Sequence, residues 1–258
     1  MSIKALIFDV DGTIADTEET HRQAFNAAFL ELELGWDWSR RDYAELLRTS
    51  GGKERLAVYI DALAAKPQEK ARLKGLVQLI HATKTHIYGE LIADGRAPLR
   101  AGVARLIGEA RAAGVRLAIA STTTSANISA LIGAQFGAEA WNWFEALACG
   151  DVVPNKKPAP DIYLRALGML RLPAHACVAF EDSVNGLKSA KAAGLYTVVT
   201  PTQWNAGQDF RGADLVLQGL GDADAPLDAR DARLAGGPCL TLARLQELHA
   251  ASLRPAAA

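Results

Sequence analysis

Two carboxylates only two residues apart, Asp9 and Asp11, close the apolar run Ala5-Leu6-Ile7-Phe8, and Gly12-Thr13 follow them. Side chains two apart at the end of a strand project to the same side, so the pair can flank one reacting group. Gly12 admits the positive-φ turn that such an arrangement needs. Ionised carboxylates held together repel, so the pair calls for a cation, a proton or both. D-x-D by itself also occurs in nucleotide-sugar transferases, calcium loops and surface turns. The calcium-loop pattern is excluded, since it requires an acid at Thr13, Gly at Ile14 and Glu at Thr20.

Three further clusters carry groups that suit phosphate chemistry. Ser121-Thr122-Thr123-Thr124 offers hydroxyls and backbone N–H groups at a helix entrance, which serve either a phosphate or an ordinary N-cap. In Asn155-Lys156-Lys157-Pro158-Ala159-Pro160-Asp161 two prolines stiffen a loop from which Lys157 can present a point charge to a phosphate, or simply be solvated. Phe180-Glu181-Asp182-Ser183 ends an apolar run on acids, read either as a helix cap or as metal ligands.

These clusters need elements to hold them. Residues 3–8 predict a short strand buried on both faces, as in the middle of a parallel sheet. From about 17 to 93 the pattern is helical throughout: 18–32, 40–48, 53–65 and a long stretch over 68–92. After about residue 97 helices and strands alternate: a helix over 103–114, a strand over 115–120, helices over 125–137 and 159–170, a strand over 176–180, a helix over 185–194, and strands over 195–199 and 214–218. Glycines such as Gly114 and Gly194 fit left-handed caps at the helix exits. The fold class is therefore α/β, a doubly wound Rossmann-like parallel sheet whose ligands sit beyond the carboxyl ends of the strands. The core is expected from 1–14 and 97–258, with 15–96 an inserted all-helical cap domain. Residues 219–238, rich in Gly, Ala, Asp and Pro, read as an irregular tail before a short amphipathic helix over 240–251.

Half of the 258 residues are hydrophobic, enough for a sizeable core, and a net charge of −1 without basic blocks disfavours nucleic acid as a partner. Neither a secretory signal nor a membrane-spanning run is read from the chain. Three cysteines without a C-x-x-C pair suggest neither a disulfide framework nor a thiolate metal site, so a reducing cytoplasm is the expected setting. No G-x-G-x-x-G, P-loop or G-x-S-x-G is present. His81 and His86 lie about 140° apart round a helix and share no metal-binding face. Trp36, Trp38, Trp141 and Trp143 read as packing residues.

The ordered set of D-x-D-G-T, Ser/Thr, Lys and a closing acidic pair resembles the haloacid dehalogenase superfamily of phosphohydrolases over nearly the whole chain. The resemblance implies Asp9 as the nucleophile that becomes an aspartyl phosphate, and Asp11 as the acid and base whose pKa is raised for the task. It implies Mg²⁺ on Asp9, Asp11 (through its carbonyl) and Asp182, with Glu181 adjacent. Ser121, Thr122 and Lys157 are implied to neutralise the phosphoryl oxygens. The second acid at position 11 favours phosphatase or mutase chemistry over dehalogenation. In the helical region, Gly51-Gly52-Lys53-Glu54-Arg55 sets bare N–H groups beside two cations, a seat for a second anion.

More narrowly, Asp9-Val10-Asp11-Gly12-Thr13 with Ala15, Thr17, Glu18 and His21, the Trp36/Trp38 pair, Tyr43, GGKER, STTTSAN, KKPAPD and EDSVNG resemble the CbbY group. That group consists of sugar-bisphosphate phosphatases associated with red-type rubisco, which remove the 1-phosphate of the inhibitor xylulose 1,5-bisphosphate. The resemblance implies Glu18, His21, Tyr43, Gly51, Gly52, Lys53, Glu54, Arg55, Ser121, Thr122, Asn127 and Lys157 as substrate contacts. Ser121 departs from the Thr common in the group but keeps the hydroxyl. The partner is then a small sugar phosphate or bisphosphate, handled by a monomer. β-Phosphoglucomutase, with nearly the same motifs, another sugar-phosphate phosphatase and a non-enzymatic binding module are the alternatives.

Overall fold

The computed structural model of the chain describes residues 2–205 and 207–254; expectations for residues 1, 206 and 255–258 lie outside them. The first strand, β1 (Ala5–Phe8), leads into a helical insertion of α1 (Glu18–Glu31), α2 (Arg40–Leu46), α3 (Gly52–Ala62), α4 (Pro67–Gly75) and α5 (Val77–Ala93). After α6 (Val103–Ala112) come β2 (Arg116–Ser121), α7 (Ser125–Phe136), β3 (Phe144–Cys149), α8 (Asp161–Leu170), β4 (Cys177–Glu181), α9 (Val184–Ala192), β5 (Tyr196–Val199), β6 (Leu215–Val216), α10 (Ala229–Ala235) and α11 (Leu242–Ser252). The six strands form one parallel sheet in the order β3-β2-β1-β4-β5-β6.

The period of two in β1 explains the layering. Leu6 and Phe8 enter a core shared with α6, α7 and α11, whereas Ala5 and Ile7 enter a second core shared with α8 and α9. Phe8 stacks on Phe180 of β4 at 4.7 Å. Burying each such side chain contributes about 1.5–3 kcal/mol. A third cluster inside the insertion gathers Phe25, Phe29, Trp38, Tyr43, Leu56 and Ile80.

Four local expectations are corrected. The long helical stretch over 68–92 divides at Leu76, which ends α4 and begins α5 just after Gly75, a poor helix former. The edge strand β3 was not expected: its exposed Glu145 and its Ala and Cys positions give a weak strand signal. The strand expected over 214–218 is only Leu215–Val216. Within the expected tail, α10 is started by the Asp228 side chain, which accepts from the Asp231 N–H.

Two linkers join the insertion to the sheet, and they are tied together. Ala15 bridges antiparallel to Leu99, and the Arg100 N–H donates to the Ile14 carbonyl. The Arg100 guanidinium donates to the carbonyls of Gly12, Thr200, Pro201 and Gln218, which fixes the turn after β1 against the loop after β5.

Candidate active site

The sheet brings the distant motifs together. Asp9 follows β1, Ser121 ends β2 and Asp182 follows β4, so all three meet at the carboxyl edge where the strand order reverses. Gly12 is required there. Its φ is +76°, and an added Cβ would lie 2.4 Å from the Asp182 Oδ2.

Lys157 Nζ donates to Asp9 Oδ1 and to Glu181 Oε1, each at 2.6 Å, and Tyr163 also donates to Glu181 Oε1 at 2.6 Å. Ligand atoms of Asp9, Glu181 and Asp182 lie within 4.8 Å of one another. Burial pushes the Asp9 carboxyl up to about 7; Lys157 opposes this, while Glu181 and Asp11 add to it. Burial, with Asp9 and Glu181, likewise raises Asp182 well above the usual carboxylate range. Three buried carboxylates thus cluster with one ammonium on two of them, an all-oxygen ligand set that fits a hard divalent cation. Asp9 and Asp182 are the freer donors, since both Glu181 oxygens already accept hydrogen bonds. Asn205 Nδ2 donates to Asp182 Oδ2 at 2.6 Å and turns that carboxylate.

Asp11 differs from its expectation. Burial raises its pKa, but the electrostatic interaction with the His21 ring and hydrogen bonds from His21, Thr123 and Thr17 outweigh burial and leave it below the ordinary value. Thr17 Oγ1 and His21 Nε2 reach Oδ1 at 2.7 and 2.9 Å, and Thr123 Oγ1 donates to Oδ2. The raised pKa expected of Asp11 is therefore corrected: three donors favour its ionised form. Beyond His21, Lys84 Nζ lies 2.7 Å from Nδ1. A lysine ammonium only donates, so Nδ1 accepts, the ring proton sits on Nε2, and that nitrogen donates to Asp11. Burial, chiefly, lowers Lys84 to about 7, and Lys84, His21 and Asp11 form one hydrogen-bonded series.

Above this floor the insertion closes one pocket whose wall includes Glu18, His21, Gly51, Gly52, Lys53, Glu54, Arg55, Ser121, Thr122, Asn127 and Lys157. Tyr43 is the exception: it is buried outside the wall and acts from behind. Its hydroxyl donates to Glu18 Oε2 at 2.9 Å and accepts from Arg55 Nη1 at 2.8 Å, so it orients both without facing a ligand. Lys53 pairs across the pocket mouth with Asp151 at 2.8 Å. Thr124 and Ser183 cap α7 and α9, so the capping reading holds for these two residues, which stand beside the pocket-lining Thr122 and the acidic Asp182.

Sequence reasoning missed Lys84, Tyr163, Asp151 and Asn205, and it gave Thr17 and Thr123 no part at Asp11. One signal was legible: Ile80, Lys84, Tyr88 and Ile92 form a buried i, i+4 stripe on α5, and a lysine in that stripe occupies a core position. Asn205 follows β5 and carried no comparable pattern.

With the geometry in view, the haloacid dehalogenase-like hydrolase family matches residues 3–194. CbbY of Rhodobacter capsulatus is 54% identical over 223 residues, covering 86% of this chain and 96% of that protein. The chain belongs to the CbbY family of haloacid dehalogenase-like hydrolases. A second CbbY relative, plasmid-encoded in Cupriavidus necator, is 50% identical, with 87% of this chain and 89% of the relative covered. Among solved structures, a CbbY mutant from Rhodobacter sphaeroides in complex with xylulose-(1,5)bisphosphate superimposes with a TM-score of 0.78 at 45% identity, covering 86% of this chain and 98% of that one. The CbbY fold accounts for the helical insertion between β1 and β2 as well as the sheet. No helix among the described residues is long and apolar enough to cross a membrane.

Proposed function

We propose that this chain is a Mg²⁺-dependent phosphatase that removes the 1-phosphate of xylulose 1,5-bisphosphate, releasing xylulose 5-phosphate and phosphate in the cytoplasm. The observation that carries the reading is a single pocket with Asp9 and Lys157 on its sheet side and Lys53 and Arg55 on its insertion side. Such a pocket offers one anion seat for transfer and one for recognition. The sugar-bisphosphate complex of the CbbY relative supports the same substrate.

The Asp9 carboxylate attacks phosphorus as the sugar O–P bond breaks, which gives an aspartyl phosphate and an alkoxide. Lys157, Ser121 and Thr122 hold the phosphoryl oxygens, where charge accumulates. Asp9 and Asp182, with the Asp11 carbonyl, would hold Mg²⁺, and the chemistry it supplies when bound is further neutralisation of that charge. The alkoxide needs one proton. Lys84 and His21 can pass it to Asp11, which delivers it to the leaving oxygen. Asp11, again a carboxylate, then takes a proton from the water that cleaves the aspartyl phosphate, and the chain is restored. Glu18 and His21, braced by Tyr43 and Lys84, line the space between the two anion seats.

The test is a substrate panel with Mg²⁺: xylulose 1,5-bisphosphate, ribulose 1,5-bisphosphate and β-glucose 1-phosphate. Phosphate release with at least tenfold higher kcat/KM on the first is expected. Conversion of the last to glucose 6-phosphate as the dominant reaction would overturn the reading in favour of a mutase. Asp9→Asn should abolish turnover while calorimetry still detects xylulose 1,5-bisphosphate binding.

A further inference from the structure

Trp204 belongs to the sheet layer, in the short turn Gln203–Asn205 after β5, yet it packs within the aromatic cluster of the insertion. Its ring meets Tyr43 edge-on at 5.6 Å, and the Arg40 guanidinium lies 5.1 Å over it. Tyr43 in turn holds Glu18 and Arg55 through its hydroxyl, so the contact with Trp204 fixes the residue that orients two parts of the pocket wall. One peptide unit away, the Asn205 side chain faces the opposite way. Its Oδ1 accepts from Gln208 at 3.2 Å, which leaves Nδ2 to donate to the Asp182 carboxylate at 2.6 Å and to the Asp182 carbonyl at 3.1 Å. The turn itself is closed by the Trp204 and Asn205 N–H groups, which both donate to Thr202. The two side chains are thus carried on one short turn that is hydrogen-bonded at both residues.

We propose that Trp204 and Asn205 are a pair of positioning residues: seating the insertion on Trp204 holds the Asn205 amide against Asp182, so closure of the pocket and orientation of the acidic trio occur together. The proposal rests on Asp182 belonging to the metal-binding, phosphate-transfer site. It does not depend on which sugar is used.

The experiment measures Mn²⁺ binding to the full chain without substrate, by electron paramagnetic resonance, beside kcat/KM for xylulose 1,5-bisphosphate. Asn205→Ala should weaken Mn²⁺ about tenfold, because the buried carboxylate loses the donor that turns it. Trp204→Ala should weaken Mn²⁺ at least threefold although Trp204 touches no ligand, and Trp204→Phe should restore it to within twofold. In the double variant Trp204→Ala/Asn205→Ala, binding should be no more than twofold weaker than in Asn205→Ala alone, since the tryptophan acts through the amide. Trp204→Leu carries the same expectation should Trp204→Ala fail to fold. Mn²⁺ affinity unchanged by the Trp204 substitutions, or effects that multiply in the double variant, would overturn the coupling. Failure of the wild-type chain to bind Mn²⁺ would overturn it as well. Mn²⁺ binding without phosphate release from the bisphosphate refutes only the substrate, and the metal readings still decide the coupling.

Discussion

Lys84 sits 4% exposed on α5 with no carboxylate in hydrogen-bond contact among the described residues; its ammonium meets His21 Nδ1 and the faces of Phe25 and Tyr88. Burial lowers its pKa from 10.5 to about 7. The sign of the linkage follows. Between those values the unfolded chain binds the proton and the folded one releases it, so folding stability rises with pH across that window. Below the folded pKa the charged form costs about 4–5 kcal/mol relative to an unperturbed lysine. Lys84→Met keeps the stem, removes the charge and is expected to raise stability by about 2 kcal/mol at pH 7, within the range found when buried ions are replaced by apolar groups of similar volume. The advantage should shrink by about 2 kcal/mol between pH 7 and pH 9, as the wild-type lysine loses its proton and the variant has none to lose. Turnover should move the other way, falling roughly a hundredfold, because His21 loses the donor that sets its tautomer and feeds Asp11. Urea unfolding of both proteins at pH 7 and pH 9, beside kcat at pH 7, measures all three. A stability difference equal at the two pH values, or a variant less stable than wild type at pH 7, would refute the reasoning.

Gly12→Ala places a methyl 2.4 Å from the Asp182 Oδ2 at a φ of +76°; it should cost roughly 1–3 kcal/mol by denaturant midpoint and at least tenfold in kcat/KM. Gly35→Ala, at a φ of +66° with open space around the new methyl, is the control, with the backbone strain alone and turnover within twofold. Lys53→Ala breaks a pair that is largely exposed on the Asp151 side, so stability should change by less than about 1 kcal/mol. Its KM for xylulose 1,5-bisphosphate should rise about tenfold, against less than twofold for a monophosphate with no second anionic group. Equal effects on both substrates would count against the second anion seat.

The CbbY relationship gives the family, and the proposed proton path comes from packing. Asp11, read in isolation, needs a raised pKa to donate a proton. In the fold it is met by Thr17 and His21 from the start of α1 and by Thr123 after β2, and their combined donation favours the carboxylate. In the proposed mechanism the proton is therefore stored further along the hydrogen-bonded series, on His21 and Lys84. That division would keep Asp11 ready as a base for water while a buried lysine of lowered pKa supplies the acid.

By itself the sequence determined the α/β class and the insertion after β1, and it named Asp9, Asp11, Ser121, Lys157 and Asp182 as the candidates that the proposed function uses. Each of these is encoded locally, in an apolar run that ends on chemistry-bearing residues or in a helical period sustained over several turns. The tertiary structure alone decided which side chains stand behind them. It placed Tyr43 behind Glu18 and Arg55, Lys84 against His21, and Trp204 with Asn205 between the insertion and Asp182. The physical reason is that hydrogen bonds and desolvation depend on distance in space: residues 11, 21, 84 and 123 share one buried chain only because the insertion folds back over the carboxyl edge of the sheet.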